Sequence, residues 1–359
     1  MKRPVYIADC GLICARGETA TAVAEALWRG ESGSEKRCLG EREFPYFALP
    51  MSEDSWLQRA ERAIRLVTGQ LASLPPTTPL FIASSSFQIG HFEQQGAPFD
   101  LPLATASLSR QIARWMDLSG PCYSFSNACI SGFSAIDAAG TLIAAGQIDE
   151  AVVLGFELAN VATLAGFASM ELLSRTSCRP FDARRDGLVL GEAVAAVRLS
   201  AKPAPWRIAG LRTGLDGYST TGPDPDGGPI AKTAIASLKA ANVGPAEIDL
   251  VKLQAAGSPG TDLAEANALH KVFGTEMPPL LSLKPALGHT LGASGIAELA
   301  ALLACLDAGT IPATAGFTEA DPELGLAPIT HRSNDPVRRA MLNLIGFGGG
   351  LATMIVERT

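Results

Sequence analysis

Residues 126–132, with the sequence SNACISG, are the stretch on which the predicted fold depends. The short apolar run 122–125 before them is typical of a strand, and the small and apolar residues 133–145 after them predict a long helix. Cys129 is therefore expected at a strand-to-helix turn, where free backbone N–H groups and the positive end of the helix dipole converge. A thiol placed there is expected to shift toward the thiolate, which attacks carbonyl carbons. The alternative is a buried structural cysteine.

Outward from this turn, apolar runs alternate with helical patterns along the chain. Strands are predicted at residues 5–14, 80–83, 122–125, 150–155, 208–213, 250–253, 280–283, 340–345 and 351–356, and a turn-rich connector at 179–187 leads into the stretch 191–199. Helices are predicted at residues 19–28, 53–71, 101–116, 133–145, 230–241, 262–272 and 293–306. Continuous apolar runs between helices indicate parallel strands covered on both faces. The two similar series, separated by the proline-containing stretch 201–205, predict an α/β fold of two duplicated halves, 1–204 and 205–359.

Composition excludes several classes of protein. A net charge of -7 over 359 residues argues against a nucleic-acid-binding protein. The apolar stretches are interrupted by polar residues, and Met1-Lys2-Arg3 leads directly into a strand pattern, so we expect neither membrane insertion nor a signal peptide. Seven cysteines without Cys-x-x-Cys spacing favour reduced thiols in the cytoplasm over disulfides or zinc. Neither a metal-binding motif nor a nucleotide-binding motif is present in the sequence.

A catalytic cysteine needs a partner, and the chain contains only four histidines. His289 lies between a predicted strand and a predicted helix, among small residues that leave its ring room to meet a ligand. His91, His270 and His331 have ordinary polar surroundings in the sequence, so we expect them to be structural or solvated. Cys129 and His289 are thus the candidate reactive pair.

Four sets of residues, in one order, resemble the β-ketoacyl-acyl-carrier-protein synthase family of elongating condensing enzymes. They are SNACISG at 126–132, RPFD at 179–182 with RDG at 185–187, Lys284 with GHT at 288–290, and GFGG at 346–349. The set spans nearly the whole chain, although GFGG alone would mean little. The resemblance implies a thiolase-like fold with layers in the order α-β-α-β-α. A degradative thiolase is disfavoured, because that branch uses a second cysteine in the C-terminal glycine-rich loop.

The resemblance also implies roles for individual residues. Cys129 would accept the acyl chain as a thioester, and His289 would donate a hydrogen bond to the malonyl thioester carbonyl. Lys284 would hold a local charge network, or would only orient its neighbours. Phe347 would be a gate beside the cysteine. Unusual backbone angles in its loop would be permitted by Gly346, Gly348 and Gly349. Architectural rather than catalytic roles are expected for Asp182, Asp186 and Glu192.

One motif of the family is altered. After the strand 250–253 the family carries a His-Gly-Thr-type motif, whereas this chain reads QAAGSPGTD at 254–262, with Ala256 in the place of the histidine. The loop is also about two residues shorter. Loss of one preorganised donor typically costs roughly 10²–10³-fold in rate, about 3–4 kcal/mol. His270, well into the following predicted helix, is not expected to replace it.

Three functions therefore stay open. The favoured one is a chain-length-factor-like subunit that pairs with an active ketosynthase in type II polyketide or aryl-polyene assembly, although many such factors have lost the cysteine that this chain keeps. The second is a self-sufficient condensing enzyme, and the third is a noncatalytic scaffold. The resemblance implies an acyl carrier protein as partner, with substrates on its phosphopantetheine and no other cofactor, in a heterodimer or a homodimer. A candidate docking face for the acidic carrier comprises Arg59, Arg62 and Arg65, spaced by three on one predicted helix.

Overall fold

The computed structural model describes residues 3–51, 55–96 and 101–359. Its strands are β1 (Tyr6–Cys14), β2 (Glu35–Leu39), β3 (Arg42–Phe47), β4 (Leu80–Ala83), β5 (Cys122–Phe125), β6 (Glu150–Glu157), β7 (Leu190–Gly191), β8 (Ala193–Ser200), β9 (Trp206–Leu215), β10 (Leu250–Lys252), β11 (Leu280–Leu281), β12 (Arg339–Ile345) and β13 (Gly350–Arg358). Its α-helices are α1 (Ala20–Arg29), α2 (Trp56–Thr68), α3 (Ile89–Gln95), α4 (Leu101–Trp115), α5 (Ser131–Ala144), α6 (Val161–Ser169), α7 (Gly228–Ala241), α8 (Pro259–Phe273), α9 (Lys284–Leu287) and α10 (Ser294–Asp307). Single 3₁₀ turns lie at Pro245–Glu247, Leu291–Ala293 and Phe347–Gly349.

The large sheet repeats one strand order twice. Its ten strands lie in the order β11-β10-β12-β13-β9-β1-β8-β6-β4-β5. When the five strands of each half are numbered along the chain, both halves have the internal order 1-5-4-2-3. The halves join where β1 pairs with β9. This repetition confirms the predicted duplication of an α/β unit. The boundary predicted after residue 204 falls in the connection between β8 and β9 and stays a prediction.

The strands are not all parallel, contrary to the prediction. In each half the three outer strands are parallel to one another. The other two strands of the N-terminal half are β8 and β1, and β8 is antiparallel to both β6 and β1. In the C-terminal half, β13 is likewise antiparallel to both β12 and β9. The chain between β12 and β13 shows the reason, because only residues 346–349 join them. So short a connection can link antiparallel strands, whereas a parallel pair needs a crossover of about a dozen residues or more.

Helices cover both faces of each half. Between the halves, α5 and α10 pack in one core with Phe81 and Ala83 of β4 and with Leu342 of β12. On the outer faces, α2 and α4 cover the N-terminal half, and α7 and α8 cover the C-terminal half. Successive side chains of a strand point to opposite faces, so Leu80 and Ile82 belong to the outer core. The resulting order α-β-α-β-α is the layered arrangement predicted from the sequence.

A local signal explains where the second helix begins. The predicted second helix begins at Trp56 because Ser55 and Gln58 form a capping box, in which each side chain binds the other residue's backbone N–H. Its predicted start at residue 53 lies outside the described residues, as do Met1 and Lys2.

The hairpin of β2 and β3 was not predicted, because β2 is a largely exposed EKRCL segment without apolar alternation. Within the described ranges, no helix combines the length and the apolar character needed to cross a membrane.

Candidate active site

Cys129 lies in the turn between β5 and α5, as predicted. The turn is tight: Ala128 has a φ of 46°, in the left-handed region that residues with a side chain seldom adopt. Ser131 holds it in place, since its Oγ accepts a hydrogen bond from Asn127 N–H at 2.7 Å and donates to Ala128 O at 2.7 Å. The Cys129 side chain is buried, with 5% of the residue exposed. Strained backbone of this kind is common where a reactive side chain must be presented in one orientation.

The structure brings His289 to Cys129. Their Sγ and Nε2 atoms lie 3.0 Å apart, although the residues are separated by 160 positions in the chain. The other ring nitrogen of His289, Nδ1, lies 3.1 Å from Ser294 Oγ. The backbone of His289 is fixed as well, because its N–H donates to Val189 O at 2.7 Å and its carbonyl accepts from Gly191 N–H at 3.1 Å. The imidazole is therefore held between Cys129 and Ser294.

Burial governs the ionisation of this pair. It raises the pKa of Cys129 to about 11, and the Phe347 backbone N–H and the Lys284 charge offset only part of that rise. Burial also lowers the pKa of His289 to about 3, with a further contribution from the positive charge of Lys284. At neutral pH the pair is thus a thiol and an uncharged imidazole. The predicted shift of Cys129 toward the thiolate is wrong for the resting site, because the desolvation cost exceeds the lowering effect of the nearby backbone N–H groups and of the Lys284 charge.

A buried charge cluster lies behind His289. Lys284 Nζ contacts Glu298 Oε1, and Lys252 Nζ contacts the other oxygen of the same carboxylate. The side chains of these residues are at most 1% exposed. Lys284 is therefore part of a charge network, as the resemblance implied. Lys252 was not predicted to belong to it. Its signal was present in the sequence, as a lysine inside the apolar strand pattern 250–253.

The glycine-rich loop places Phe347 beside Cys129, where its backbone N–H acts on the thiol. The Phe347 ring stacks on Phe167 of α6, with centroids 5.4 Å apart and an interplanar angle of 18°. Gly348 and Gly349 have φ values of 74° and 77°, which confirms the expectation of unusual angles there. For Gly346 that expectation is wrong, because its φ of −119° is ordinary extended backbone. What position 346 requires is space, since an added Cβ would stand 3.3 Å from the Cys129 backbone nitrogen.

A cavity of about 230 Å³ opens beside Cys129 and Phe347. Its wall is largely apolar and comes from several elements, with side chains of Ser85, Thr163, Phe167, Met170 and Leu291. The cavity is smaller than most drug-sized ligand sites, which span roughly 300–1,000 Å³.

Glu157, at the end of β6, binds the backbone of two loops around this cavity. It was not among the predicted site residues. Its buried carboxylate accepts hydrogen bonds from the backbone N–H groups of Ser85, Ser86 and Gly292 at 2.9–3.0 Å. Burial raises the pKa of Glu157, against the lowering effect of these hydrogen bonds. A carboxylate at the end of a buried strand was the signal that could have identified it.

Ala256 lies in an apolar cluster that includes Leu190 and the cavity residue Leu291. The methyl group of Ala256 thus offers no donor or acceptor. The surrounding loop is held by Asp262, whose carboxylate accepts from the N–H groups of Ala256 and Gly257, each at 3.2 Å. Burial raises the pKa of Asp262 to about 7, against those hydrogen bonds.

The other histidines lie in different surroundings from His289. His270 Nε2 is 3.0 Å from the carbonyl oxygen of Leu324. The His91 ring packs near Trp56, at 6.3 Å between centroids, and His331 pairs with the neighbouring Thr330 hydroxyl. None of these contacts involves Cys129, in line with the sequence analysis.

The sequence also matches two models of known protein domains. The model of the β-ketoacyl synthase N-terminal domain matches residues 79–204, and that of the β-ketoacyl synthase C-terminal domain matches residues 207–318. The chain belongs to the β-ketoacyl synthase family. The 3-oxoacyl-[acyl-carrier-protein] synthase 2 of Coxiella burnetii is 30% identical to this family member over 281 residues, which are 73% of this chain and 68% of the relative.

Two further likenesses complete the comparison. The 3-oxoacyl-[acyl-carrier-protein] synthase 2 of Mycobacterium leprae is 33% identical over 240 residues, or 62% of this synthase-family chain and 57% of the relative. The match thus spans little more than half of that relative's length. A chain in the structure of a ketosynthase in complex with its chain length factor, from Xenorhabdus doucetiae, has a TM-score of 0.87 at 23% identity, with 99% of this chain and 98% of that chain covered. This likeness shows the thiolase-like fold predicted for this family member.

The predicted arginine face of this synthase-family protein is not a single exposed face. Arg59 turns inward, with 15% of its side chain exposed, and forms two hydrogen bonds to the buried Glu192 carboxylate at 3.1 and 3.0 Å. Arg65 binds Glu61 at 2.8 Å and lines an open groove together with Arg62. Steps of three residues fall short of the 3.6-residue helical turn, so Arg59 and Arg65 lie about 120° apart around α2. Only Arg62 and Arg65 remain candidates for carrier docking.

Asp182 and Glu192 have the architectural positions expected in this synthase-family chain. The N–H groups of Arg184, Thr318 and Glu319 donate to Asp182 at 2.6–2.9 Å, and against the effect of burial they lower its pKa to about 2. Glu192 accepts from the N–H groups of Leu49 and Ala159 at 2.9 and 2.7 Å. Both carboxylates join separate segments of the chain. Asp186, in contrast, is exposed.

Proposed function

We propose that this member of the β-ketoacyl synthase family is a chain-length-factor-like subunit that pairs with an active ketosynthase in type II fatty-acid or polyketide assembly, of the aryl-polyene kind. The observation that carries the proposal is the apolar setting of Ala256, in the place that the family motif gives to a second imidazole. Two preorganised donors share the negative charge of an enolate better than one, and loss of one typically costs roughly 10²–10³-fold. Cys129 and His289 are kept, so the proposed loss concerns decarboxylation rather than acyl binding.

The remaining pair supports acyl transfer to Cys129. The Sγ atom would attack the thioester carbonyl carbon while its proton passes to His289 Nε2, 3.0 Å away. The backbone N–H groups of Phe347 and Cys129 act on the Cys129 sulfur and lower the pKa of its thiol. In the proposed reaction the carbonyl π electrons would move to the oxygen, and the same N–H groups would stabilise the resulting negative charge. Collapse of the intermediate breaks the bond to the carrier thiol, and that leaving thiolate takes the proton. An uncharged imidazole beside a protonated thiol is the correct starting state for this transfer.

An unpaired sheet edge supports association with a second, homologous chain. Within the described residues, β5 pairs with β4 and forms the end of the large sheet. Tyr123 on this strand is 43% exposed, and an exposed edge strand is a template for pairing with another chain. A second subunit that adds its own edge strand would satisfy the free backbone groups of β5 and cover this ring. Because β5 leads directly to Cys129, such pairing would place the partner beside the acyl cavity.

An acyl carrier protein is the proposed source of the acyl group. The substrate would reach Cys129 as a thioester on the carrier's phosphopantetheine arm, so no other cofactor is required. Arg62 and Arg65 in the open groove on α2 offer positive charge to an acidic carrier helix. Because the chain as a whole is negatively charged, an acidic carrier protein would need a local basic surface for docking.

A second candidate is a self-sufficient condensing enzyme that works with one histidine. The observation in its favour is the intact 3.0 Å contact between Cys129 and His289, with a cavity that opens onto the thiol. In this case His289 alone would stabilise the enolate. Its turnover would then depend fully on Cys129.

The two candidates are separated by a reconstitution experiment. The purified chain is incubated with acyl-carrier protein and malonyl-carrier protein. One reaction contains no other protein, and a second also contains a ketosynthase from the same organism that has both catalytic histidines. We expect acyl mass on Cys129 in intact-mass spectra, no 3-oxoacyl product from this chain alone, and product or a changed product length with the partner present. Robust product from the isolated chain, lost in Cys129→Ala, would instead establish the second candidate. A chain that neither gains acyl mass nor affects its partner would be a scaffold.

A further inference from the structure

The two ring nitrogens of His289 have different partners. Nε2 lies 3.0 Å from Cys129 Sγ, and Nδ1 lies 3.1 Å from the hydroxyl oxygen of Ser294, the first residue of α10. His289 and Ser294 are buried, so little water can compete for these contacts. An uncharged imidazole carries one hydrogen, and the partner of one nitrogen decides which nitrogen holds it. The Ser294 contact is therefore in a position to control the chemistry at Nε2.

Ser294 meets the ring from a fixed backbone. Its N–H donates to the carbonyl oxygen of Leu291, so the 3₁₀ turn Leu291–Ala293 continues directly into α10. The same turn is joined to β6, because Gly292 N–H donates to the Glu157 carboxylate at 3.0 Å. The hydroxyl of Ser294 is thus held beside Nδ1 by the packing of a turn, a helix and a strand.

The Ser294 hydroxyl also has an acceptor for its own hydrogen. Its Oγ lies 3.2 Å from Thr290 Oγ1, and Thr290 is fully buried. A hydroxyl donates one hydrogen and accepts through its lone pairs. When Ser294 donates to Thr290, its lone pairs are free to accept from Nδ1–H. Across the residues that the structure describes, Ser294 Oγ is the one hydrogen-bond partner of Nδ1.

The proposed acyl transfer requires the hydrogen of the ring to be on Nδ1. The Sγ proton passes to Nε2, so Nε2 must begin with a free lone pair. At neutral pH the ring holds a single hydrogen, since burial lowers the pKa of His289 to about 3. During the transfer the ring gains the Cys129 proton at Nε2 and keeps its own hydrogen on Nδ1. The leaving thiolate then takes the Nε2 proton, and Ser294 accepts from Nδ1 throughout.

We propose that Ser294 is a positioning residue of this site, whose hydroxyl accepts a hydrogen bond from Nδ1–H of His289 and so keeps the Nε2 lone pair directed at the Cys129 thiol. The purpose of this contact rests on the proposed acyl transfer, whereas the tautomer is a property of the resting protein. The contact also deepens the proposed function. Nε2 without a hydrogen can accept a proton but cannot donate to a malonyl thioester carbonyl, and Ala256 offers no donor either. The resting site is thus arranged for acylation rather than for decarboxylation.

The test identifies the protonated nitrogen of His289 by NMR at pH 7, in the full chain with ¹⁵N-labelled histidine. A ring nitrogen that carries a hydrogen resonates far from one that does not, and the His289 signals are assigned by their absence from His289→Asn. The wild-type ring is expected to carry its hydrogen on Nδ1. His270 is the internal reference for the opposite tautomer, because its Nε2 lies 3.0 Å from the Leu324 carbonyl oxygen and must donate.

Ser294→Ala removes the acceptor of Nδ1–H. A buried donor without a partner is unfavourable, so the ratio of tautomers is expected to shift about tenfold or more toward Nε2–H. Ser294→Cys fills the same space with a weakly hydrogen-bonding thiol, is expected to shift in the same direction, and serves if the alanine variant does not fold. The matched control is Ser237→Ala in α7, because this serine is also fully buried and donates to the Thr353 carbonyl oxygen at 2.8 Å. The control is expected to leave the His289 signals unchanged.

A wild-type ring with its hydrogen on Nε2 would overturn the proposal, and so would unchanged His289 signals in a folded Ser294→Ala protein. A purely structural role for Ser294 would lower the melting temperature without moving the hydrogen between the ring nitrogens. The experiment uses no carrier protein, so a chain that never accepts an acyl group would still give a clear result. Failure of the proposed function would be recognised separately, by the absence of acyl mass on Cys129 in the wild-type protein.

Discussion

Cys129 Sγ and His289 Nε2 lie 3.0 Å apart in a buried site where the thiol is protonated and the imidazole is uncharged. A pair in this state differs from a preformed thiolate–imidazolium pair. Its thiol becomes nucleophilic when its proton leaves, during the reaction itself.

The alkylation of Cys129 should depend steeply on pH. Because burial raises the pKa of the thiol to about 11, the thiolate fraction rises about tenfold per pH unit between pH 7 and pH 10. The iodoacetamide reaction rate at Cys129, followed by peptide mass spectrometry, is expected to rise with the same slope. Cys38, which is exposed, serves as the internal reference. A rate that levels off near pH 7 would show that the resting thiol is already ionised.

His289→Ala should slow acyl transfer to Cys129. General-base assistance is typically worth about 10²–10⁴-fold, and the structure places His289 Nε2 within reach of Sγ. Stopped reactions with acyl-carrier protein, analysed by intact mass, give the rate. His270→Ala is the control, because its ring binds the Leu324 carbonyl instead. Equal rates for both variants would contradict the proposed role of His289.

Gly349→Ala should disturb the glycine-rich loop far more than Gly348→Ala. Both residues have a positive φ, so each substitution carries a conformational cost of about 1–2 kcal/mol. At Gly349, however, an added Cβ would collide with the carbonyl oxygen of Asp216, whereas nothing lies within 4 Å of a Cβ at Gly348. We expect a clearly larger fall in melting temperature for Gly349→Ala, with slower acylation of Cys129. Similar melting temperatures for the two variants would show that the loop moves away from Asp216 without a loss of stability.

Arg59→Ala should destabilise the fold, whereas Arg65→Ala should not. Glu192 is fully buried, and removal of a buried ion-pair partner typically costs about 3–5 kcal/mol. The effect is expected near the lower end, because Arg37 also lies 3.7 Å from Glu192. Arg65 and Glu61 are both well exposed, so their pair contributes at most about 1 kcal/mol. Thermal unfolding of the two variants measures the difference, and equal melting temperatures would mean that Glu192 does not depend on Arg59.

The sequence predicted those parts of the site that local patterns determine. The strand-to-helix turn at Cys129 and the position of His289 follow from apolar runs and small residues, and the resemblance joined them. The protonation of Cys129 could not be predicted in this way, because it depends on how completely distant segments cover the thiol. Arg59 was misplaced for a related reason: helical spacing says which residues are neighbours, but not which side of α2 meets the core.

Lys252 and Glu157 show a second limit of sequence analysis. Each is a charged residue in or at the end of an apolar strand pattern, and its partners come from elements far along the chain. Pairings of this kind depend on the crossing of α10 and of the 3₁₀ turn at Leu291–Ala293 with the sheet, which periodicity does not reveal. The sheet order was likewise beyond the sequence, because the two halves repeat their topology but hardly their residues.

The duplicated strand order has a consequence for how such a site can arise. Cys129 follows β5, the third strand of the first half, and His289 follows β11, the third strand of the second. A symmetric assembly of two identical halves would face two copies of the same side chain at this point, and a nucleophile would meet only another nucleophile. Linking the halves in one polypeptide releases the two positions to change independently. The division of labour between thiol and imidazole is thus a broken symmetry.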